Sequence, residues 1–165
     1  MDGRLVYHEL PPWPFREGPP RASSRFQPTV EIVAGGRRDR VGSVTVVELA
    51  ERLSRFFLGE RPSLAEVELD LGWCSPFQRA LADALRSVPY GQTVTYGELA
   101  ALAGRPGAHR AAGSFCARNR FPILLPCHRV VAAGGLGGFG ALGVEYKRRL
   151  LALEGAPVPE GPSPR

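Results

Sequence analysis

Apolar positions along the chain change period several times, and each change marks an element. Residues 29–33 and 41–47 are rich in β-branched side chains and flank Gly35-Gly36, the pattern of two short strands joined by a turn. Over residues 46–58 the spacing becomes helical, with Val47, Leu49, Leu53, Phe56 and Phe57 as the apolar face and Gly59 beyond it. Val67-Glu68-Leu69-Asp70-Leu71 alternates strictly and predicts a half-buried strand. Ahead of these elements, residues 1–28 hold Pro11, Pro12, Pro14, Pro19, Pro20 and Pro28 without periodicity, and read as an extended arm.

A second series begins near Cys74. Ser75 is suited to an N-cap with Pro76 in the first helical position, and Phe77, Leu81, Ala84, Leu85 and Val88 recur at helical spacing up to Pro89. Thr95 and Glu98 form a capping-box pattern for a helix over 96–103, which stops at Gly104. Beyond Arg105-Pro106-Gly107, residues 108–118 read as another helix, so two short helices flank a Gly/Pro turn, as in a helix-turn-helix. Ala108, Ala111, Ala112, Gly113, Ser114 and Ala117 give the second helix a small-residue face. Such a face allows either close helix packing or close approach to a nucleic-acid groove. The apolar run 121–125 predicts a strand or extended core segment that delivers Pro126-Cys127-His128-Arg129, and Val130-Val131 continues it. A glycine-rich loop over 134–143 leads to a last helix over 144–154. Its core candidates are Val144, Leu150, Leu151 and Leu153, and Gly155 is its C-cap. The proline-rich stretch 156–165 is expected to be disordered. The class is α+β: an N-terminal α/β unit over 1–72, a mostly helical unit over 73–155, and a tail.

Composition narrows the function classes. The chain has 165 residues, 44% of them hydrophobic and 22% charged, which fits a folded globular protein of one or two small domains. No apolar run approaches the ~18 residues of a helical membrane span. Met1-Asp2-Gly3-Arg4 opens on a polar stretch rather than a signal core, so a cytoplasmic chain is expected. Cys74, Cys116 and Cys127 are odd in number and lack paired spacing, which argues against a disulfide framework or a zinc site. The glycine-rich loop matches neither a phosphate loop nor a dinucleotide fingerprint.

Charge adds more. Twenty-one basic residues against sixteen acidic give +5, and every basic residue of the Lys/Arg set except Lys147 is arginine. Glu98 and Glu145 bound a stretch with no acidic residue, which contains Arg105, Arg110, Arg118, Arg120, Arg129, His109 and His128. Positive charge gathered in an acid-free segment fits a polyanion partner; a merely basic surface is the other reading.

The sharpest chemistry is Cys127 beside His128. A thiol is nucleophilic as the thiolate, which a neighbouring imidazole or cation favours. On an extended segment, however, adjacent side chains point to opposite faces, so the dipeptide alone equally fits a buried structural cysteine. A cysteine hydrolase acting on a small ester or amide is a further reading, though it would not require the basic small-residue helix upstream.

Asn119-Arg120-Phe121-Pro122-Ile123-Leu124-Leu125-Pro126-Cys127-His128-Arg129-Val130-Val131 resembles the active-site signature of O6-alkylguanine-DNA alkyltransferases. The likeness extends upstream through Pro89-Tyr90-Gly91-Gln92-Thr93-Val94-Thr95-Tyr96-Gly97-Glu98-Leu99-Ala100 and downstream through Lys147, Leu150, Leu151 and Glu154. It runs clearly over 77–155 and more weakly from 49. The resemblance implies a ribonuclease H-like N-terminal unit, a winged-helix-like DNA-binding domain and one-turnover transfer of an alkyl group from O6 of guanine to Cys127. It implies His128 as the base acting through water, Glu154 as the carboxylate behind it, Asn119 as support for the network and Tyr96 as proton donor to the leaving guanine. Arg110 corresponds to the arginine that fills the vacated base stack. Thr95, Ala111, Ser114, Arg118 and Arg129 fall with it at the DNA, and Phe139, Gly140 and Val130 at the alkyl pocket. The implied partner is double-stranded DNA carrying O6-alkylguanine, bound by a monomer without metal or organic cofactor; Cys74 and Cys116 are left as structural thiols.

The sequence departs from the family pattern in places. Arg120 stands where proline usually follows the asparagine, Leu81-Ala82 replaces a common tryptophan, and the loop around Phe139 is shifted by one residue. The zinc ligands found near the start of some members have no counterpart. Alkyltransferase-like relatives, which bind lesions without transfer, usually lack the acceptor cysteine that this chain has.

Overall fold

The computed structural model describes residues 43–159 and the backbone of three earlier segments, 5–8, 32–34 and 40–41. The structure is mixed, helix-rich with few short strands, and the chain divides into two compact units. One contains residues 1–71 and 120–124; the other contains 72–119 and 125–165.

In the first unit, β1 (Leu5–His8) pairs antiparallel with β2 (Ile32–Ala34), and β3 (Arg40–Val41) pairs with β4 (Val44–Thr45). Strand β1 lies in the arm read as extended, and periodicity gives no sign of it because its pairing partner is more than twenty residues away in sequence. The strand expected over 41–47 is instead a tight hairpin that ends where α1 (Val46–Phe57) begins. The Gly35-Gly36 turn, residues 29–31, the prolines of the arm and residues 160–165 lie outside the described residues.

Thr45 caps α1, accepting from the Glu48 amide at 3.1 Å while the Glu48 carboxylate accepts from the Thr45 amide at 2.7 Å. Leu49, Leu53, Phe56 and Phe57 are buried along one face, each burial contributing roughly 1.5–3 kcal/mol. Val47, expected on that face, is 69% exposed. Two residues before Leu49, it sits about 200° around the helix. Val67 and Leu69 are buried and Glu68 is exposed, so the expected alternation is present, but among the described residues the segment forms no strand and only a single bridge at Leu69. The run 121–125 is a turn rather than a strand: Ile123 adopts φ 71°, outside the extended region.

The second unit opens with α2 (Pro76–Ser87), capped by Ser75 in a reciprocal box with Gln78. Its buried face is Leu81, Ala82, Ala84 and Leu85, and Val88 ends it before Pro89. Thr95 caps α3 (Tyr96–Leu102) with Glu98, and α4 (His109–Ala117) follows after a turn through Gly104 and Gly107. Helix α4 buries only Ala112 and Phe115; Arg110, Ala111, Ser114, Ala117 and Arg118 are exposed. Its small-residue face is therefore split between packing and solvent.

Two short strands bring distant segments together. β5 (Val94–Thr95) pairs in parallel with β6 (Val130–Val131), Val94 opposite Val130 and Thr95 opposite Val131. That register sets Tyr96, the first residue of α3, beside the chain that leaves Cys127. Helix α5 (Gly143–Glu154) buries Tyr146, Lys147, Leu150, Leu151 and Glu154, and Gly155 ends it in the left-handed conformation at φ 70°. Leu153 is only half-buried. Ala156, expected in a disordered tail, is 8% exposed and packs with Val131, Leu136 and Leu151.

Candidate active site

Cys127, His128 and Arg129 occupy one turn of 3-10 helix, not the extended segment expected. The tight turn closes through the Cys127 amide onto the Leu125 carbonyl at 2.7 Å and the Arg129 amide onto the Pro126 carbonyl at 2.9 Å. Cys127 is 6% exposed. Asn119 Nδ2 donates to the Leu125 carbonyl at 2.7 Å and to Cys127 Sγ at 3.1 Å, so one amide fixes both the backbone before the thiol and the thiol itself. Burial pushes the Cys127 thiol up; the Asn119 hydrogen bond and the Lys147 charge act in the opposite direction. The resting group is a thiol, and a base must take its proton for it to act as a nucleophile.

His128 is fully buried, and its Nε2 lies 2.7 Å from Glu154 Oε1. Burial lowers the imidazole pKa and outweighs the opposing pull of Glu154, so the ring is neutral near pH 7. An ionised carboxylate only accepts hydrogen bonds, which assigns the ring proton to Nε2 and the basic lone pair to Nδ1. Nδ1 is buried and makes no hydrogen bond of its own among the described residues. Burial alone would raise Glu154, yet hydrogen bonds from His128 and Arg129 outweigh it and hold the carboxyl at about 2.

Arg129 was expected at the DNA. It is instead 5% exposed, with Nε 2.9 Å from Glu154 Oε2 and Nη2 2.8 Å from Oε1, a bidentate pair. Its Nη1 donates to the Val88 carbonyl at 2.6 Å, and the guanidinium lies 4.3 Å from the centre of the Tyr90 ring. All three guanidinium nitrogens are thus hydrogen-bonded inside the protein rather than presented to solvent. The Gly91 amide adds a hydrogen bond to Glu154 Oε2 at 3.2 Å. Arg110, Ala111, Ser114 and Arg118 stay exposed on or just after α4, whereas Thr95 is half-buried with its hydroxyl committed to the helix cap.

A cavity of about 210 Å³ opens over the thiol, walled by Tyr96, Gly113, Cys116, Ala117, Cys127, Gly138, Phe139 and Gly140. Phe139 stacks on Tyr146 with centroids 6.2 Å apart, which steadies that wall. Val130, expected at the pocket, is fully buried outside the cavity wall, its carbonyl bonded by Lys147 Nζ. Burial pushes the Tyr96 hydroxyl up to about 12, so at neutral pH it is a proton-bearing donor. Among the described residues, no three His, Cys, Asp or Glu side chains gather as a metal would need, and no helix is long and apolar enough to cross a membrane.

Two residues gain importance only in three dimensions. Cys116, read as structural, lines the cavity with Cys127, and its thiol is pushed up by burial and by its neighbour. Lys147 is fully buried, and burial pulls its ammonium down to about 8. Its sequence signals are being the sole lysine in an arginine-rich chain and falling within the family likeness, neither of which gives it a role.

The profile of the family described as 6-O-methylguanine DNA methyltransferase, DNA binding domain, matches residues 76–156. Over 105 residues the chain is 47% identical to the methylated-DNA–protein-cysteine methyltransferase of Mycolicibacterium paratuberculosis, covering 63% of this chain and 62% of that protein. Over 127 residues it is 44% identical to the protein of the same name from Methanopyrus kandleri, covering 77% of this chain and 94% of that protein. The crystal structure of Mycobacterium tuberculosis OGT in complex with DNA aligns with a TM-score of 0.60 at 43% identity, over 67% of this chain and 68% of that one. The chain thus spans less than two thirds of one curated relative and nearly all of another. The profile match runs across the thiol, the His128–Glu154 pair and the whole cavity wall, and the Methanopyrus likeness covers almost that entire protein; the chain belongs to the methylated-DNA–protein-cysteine methyltransferase family.

Proposed function

We propose that this protein repairs DNA by direct reversal, moving an alkyl group irreversibly from O6 of guanine in double-stranded DNA to Cys127. The observation that carries the reading is a buried thiol at the floor of a cavity, hydrogen-bonded by Asn119 and next in sequence to a neutral histidine backed by Glu154. The thiol proton passes to His128 Nδ1 through a water, as the family resemblance implies, and Glu154 stabilises the imidazolium. The thiolate attacks the alkyl carbon, forming the S–C bond as the C–O6 bond breaks. Tyr96 hydrogen-bonds the departing guanine and supplies the proton that neutralises it, and the proton taken up by His128 is returned through solvent to the phenolate, so that thiol and alkylguanine end as thioether and guanine. The thioether is stable, so each molecule acts once.

A stacked base cannot reach this cavity, so the nucleotide must be extruded, at a cost of a few kcal/mol that is smaller for a damaged pair. Arg110, exposed on α4, fills the vacated stack, while Ala111 and Ser114 let the helix backbone approach the minor groove and Arg118 meets phosphate. Phe139 and Gly140 bound the space for the alkyl group. The pair α3–α4 serves as a helix-turn-helix in a winged-helix-like domain over 73–155, following a ribonuclease H-like unit over 1–72. The protein acts as a monomer in the cytoplasm, a state that sedimentation with one lesion duplex tests by its one-to-one mass.

Intact-mass spectrometry after incubation with a duplex carrying O6-methylguanine tests the activity. One added methyl group is expected for the native chain and none for Cys127→Ala, which still binds the lesion. An unshifted mass with lesion binding retained would show instead a lesion-binding protein without transfer.

A further inference from the structure

We infer that Lys147 and Gly137 are positioning residues that together hold the Tyr96 phenol against the cavity wall. The buried ammonium fixes the glycine-rich loop, and the bare backbone of Gly137 is the surface on which the phenol rests. The inference rests on the reading of Tyr96 as the proton donor.

Lys147 reaches two separate segments from α5. Its Nζ donates to the Val130 carbonyl in β6 and, at 3.2 Å, to the Gly138 carbonyl in the loop. Val130 is paired with Val94, two residues before Tyr96, so the cation ties together the strand pair that launches the tyrosine and the loop that lies across it. The same Nζ is 5.8 Å from the centre of the Tyr96 ring, within reach of a cation–π attraction. A buried ammonium is costly to desolvate, and carbonyls alone do not neutralise it. The charge also favours the Cys127 thiolate, and its two carbonyl contacts on separate segments add a geometric duty.

Gly137 supplies the other half. It is buried at φ 71°, and a Cβ there would stand 3.1 Å from both Cε2 and the hydroxyl of Tyr96 and 3.3 Å from the Ala132 amide. A side chain there would have to displace the phenol or the Ala132 backbone by a few tenths of an ångström, at a backbone conformation that favours glycine. On the opposite side, a Cβ on Gly113 of α4 would meet Tyr96 Cδ1 at 3.9 Å, ordinary contact distance. The ring is held between two glycine backbones, tight on the loop side and looser on the helix side. Loosening the Gly138 anchor or adding a methyl at Gly137 therefore moves the hydroxyl, whereas a methyl at Gly113 does not.

A double-mutant comparison tests this. Single-turnover methyl transfer from an O6-methylguanine duplex is measured for Lys147→Met, Gly137→Ala and Gly113→Ala, each with Tyr96 and with Tyr96→Phe, alongside thermal midpoints. Tyr96→Phe alone is expected to slow transfer about 100-fold, the scale of a lost proton donor. Gly137→Ala should cost about 10-fold or more with tyrosine present and less than about threefold with phenylalanine, because the coupled partner is already gone; Lys147→Met should lose clearly less with phenylalanine than with tyrosine, the loss common to both backgrounds being its charge at Cys127. Equal losses in both backgrounds, or full activity of Tyr96→Phe, would overturn the inference. Should either variant fold poorly, the native protein decides by NMR with labelled tyrosine. Separate resonances for the two edges of the Tyr96 ring are expected, and one averaged signal overturns the clasp. Native protein that gains no methyl group would sink the proposed function instead, and the ring measurement would still judge the clasp.

Discussion

His128 Nε2 and Glu154 Oε1 stand 2.7 Å apart with both side chains out of solvent, an arrangement that fixes which imidazole nitrogen can act as a base. Glu154→Gln keeps the shape but removes the charge that stabilises the imidazolium, and leaves Arg129 without its ionic partner. Transfer should fall about 100-fold, and the fold should lose about 3–5 kcal/mol, the cost of stranding a buried charge. Single-turnover kinetics and a denaturant midpoint read the two effects separately. A variant as active and as stable as the native chain would remove Glu154 from the relay.

The same carboxylate makes stability acid-sensitive. Its folded pKa of about 2 lies below its ordinary 4.5, so its contribution is complete above the unfolded value and disappears as pH falls from 4.5 toward 2. His128 works in the same direction: its lowered folded pKa means that the unfolded chain takes up a proton first as pH drops below 6.5. The denaturation midpoint should therefore decline from about pH 6 downward and steeply below about pH 4.5. Glu154→Gln should show a shallower decline over the lower part of that range, and parallel curves would contradict the assignment.

Asn119→Ala removes the hydrogen bond that favours the Cys127 thiolate and leaves the Leu125 carbonyl without that donor. The thiol should titrate higher than in the native chain, read as an upward shift in the pH profile of iodoacetamide alkylation. Stability should fall by about 0.5–1.5 kcal/mol, the net worth of one hydrogen bond, because the Leu125 carbonyl still accepts from the Cys127 amide. An unmoved alkylation profile would mean that the 3.1 Å contact does not act on the sulfur.

Much of this site was legible in the sequence where the signals are local. Ser75-Pro76 and Thr95 with Glu98 announced their helices because a cap satisfies amides within three residues of itself. The Cys127, His128, Glu154 and Asn119 set was legible through the family signature. What escaped depends on partners far along the chain. Strand β1 exists because residues 32–34 pair with it, and β5 and β6 meet across thirty-six residues, from Val94 to Val130. Charge is the plainest case, since sequence cannot tell an arginine that faces phosphate from one that faces carboxylate.

Arg110 and Arg129 make that distinction testable. Arg110 is exposed on α4 and Arg129 is clamped on Glu154, Val88 and Tyr90. Arg110→Ala should leave the thermal midpoint within about 0.5 kcal/mol of native stability, as surface substitutions do. It should slow repair of duplex O6-methylguanine far more than repair of a single strand, where no stack closes behind the base. Arg129→Ala should do the reverse: it breaks a buried pair at about 3–5 kcal/mol and impairs duplex and single-strand repair alike, because the carboxylate behind His128 loses its anchor. The salt dependence of duplex binding separates them further. Its slope should weaken by about one phosphate contact when a DNA-facing arginine is lost, so Arg129→Ala should leave it unchanged; a reduced slope in that variant would return Arg129 to the DNA surface.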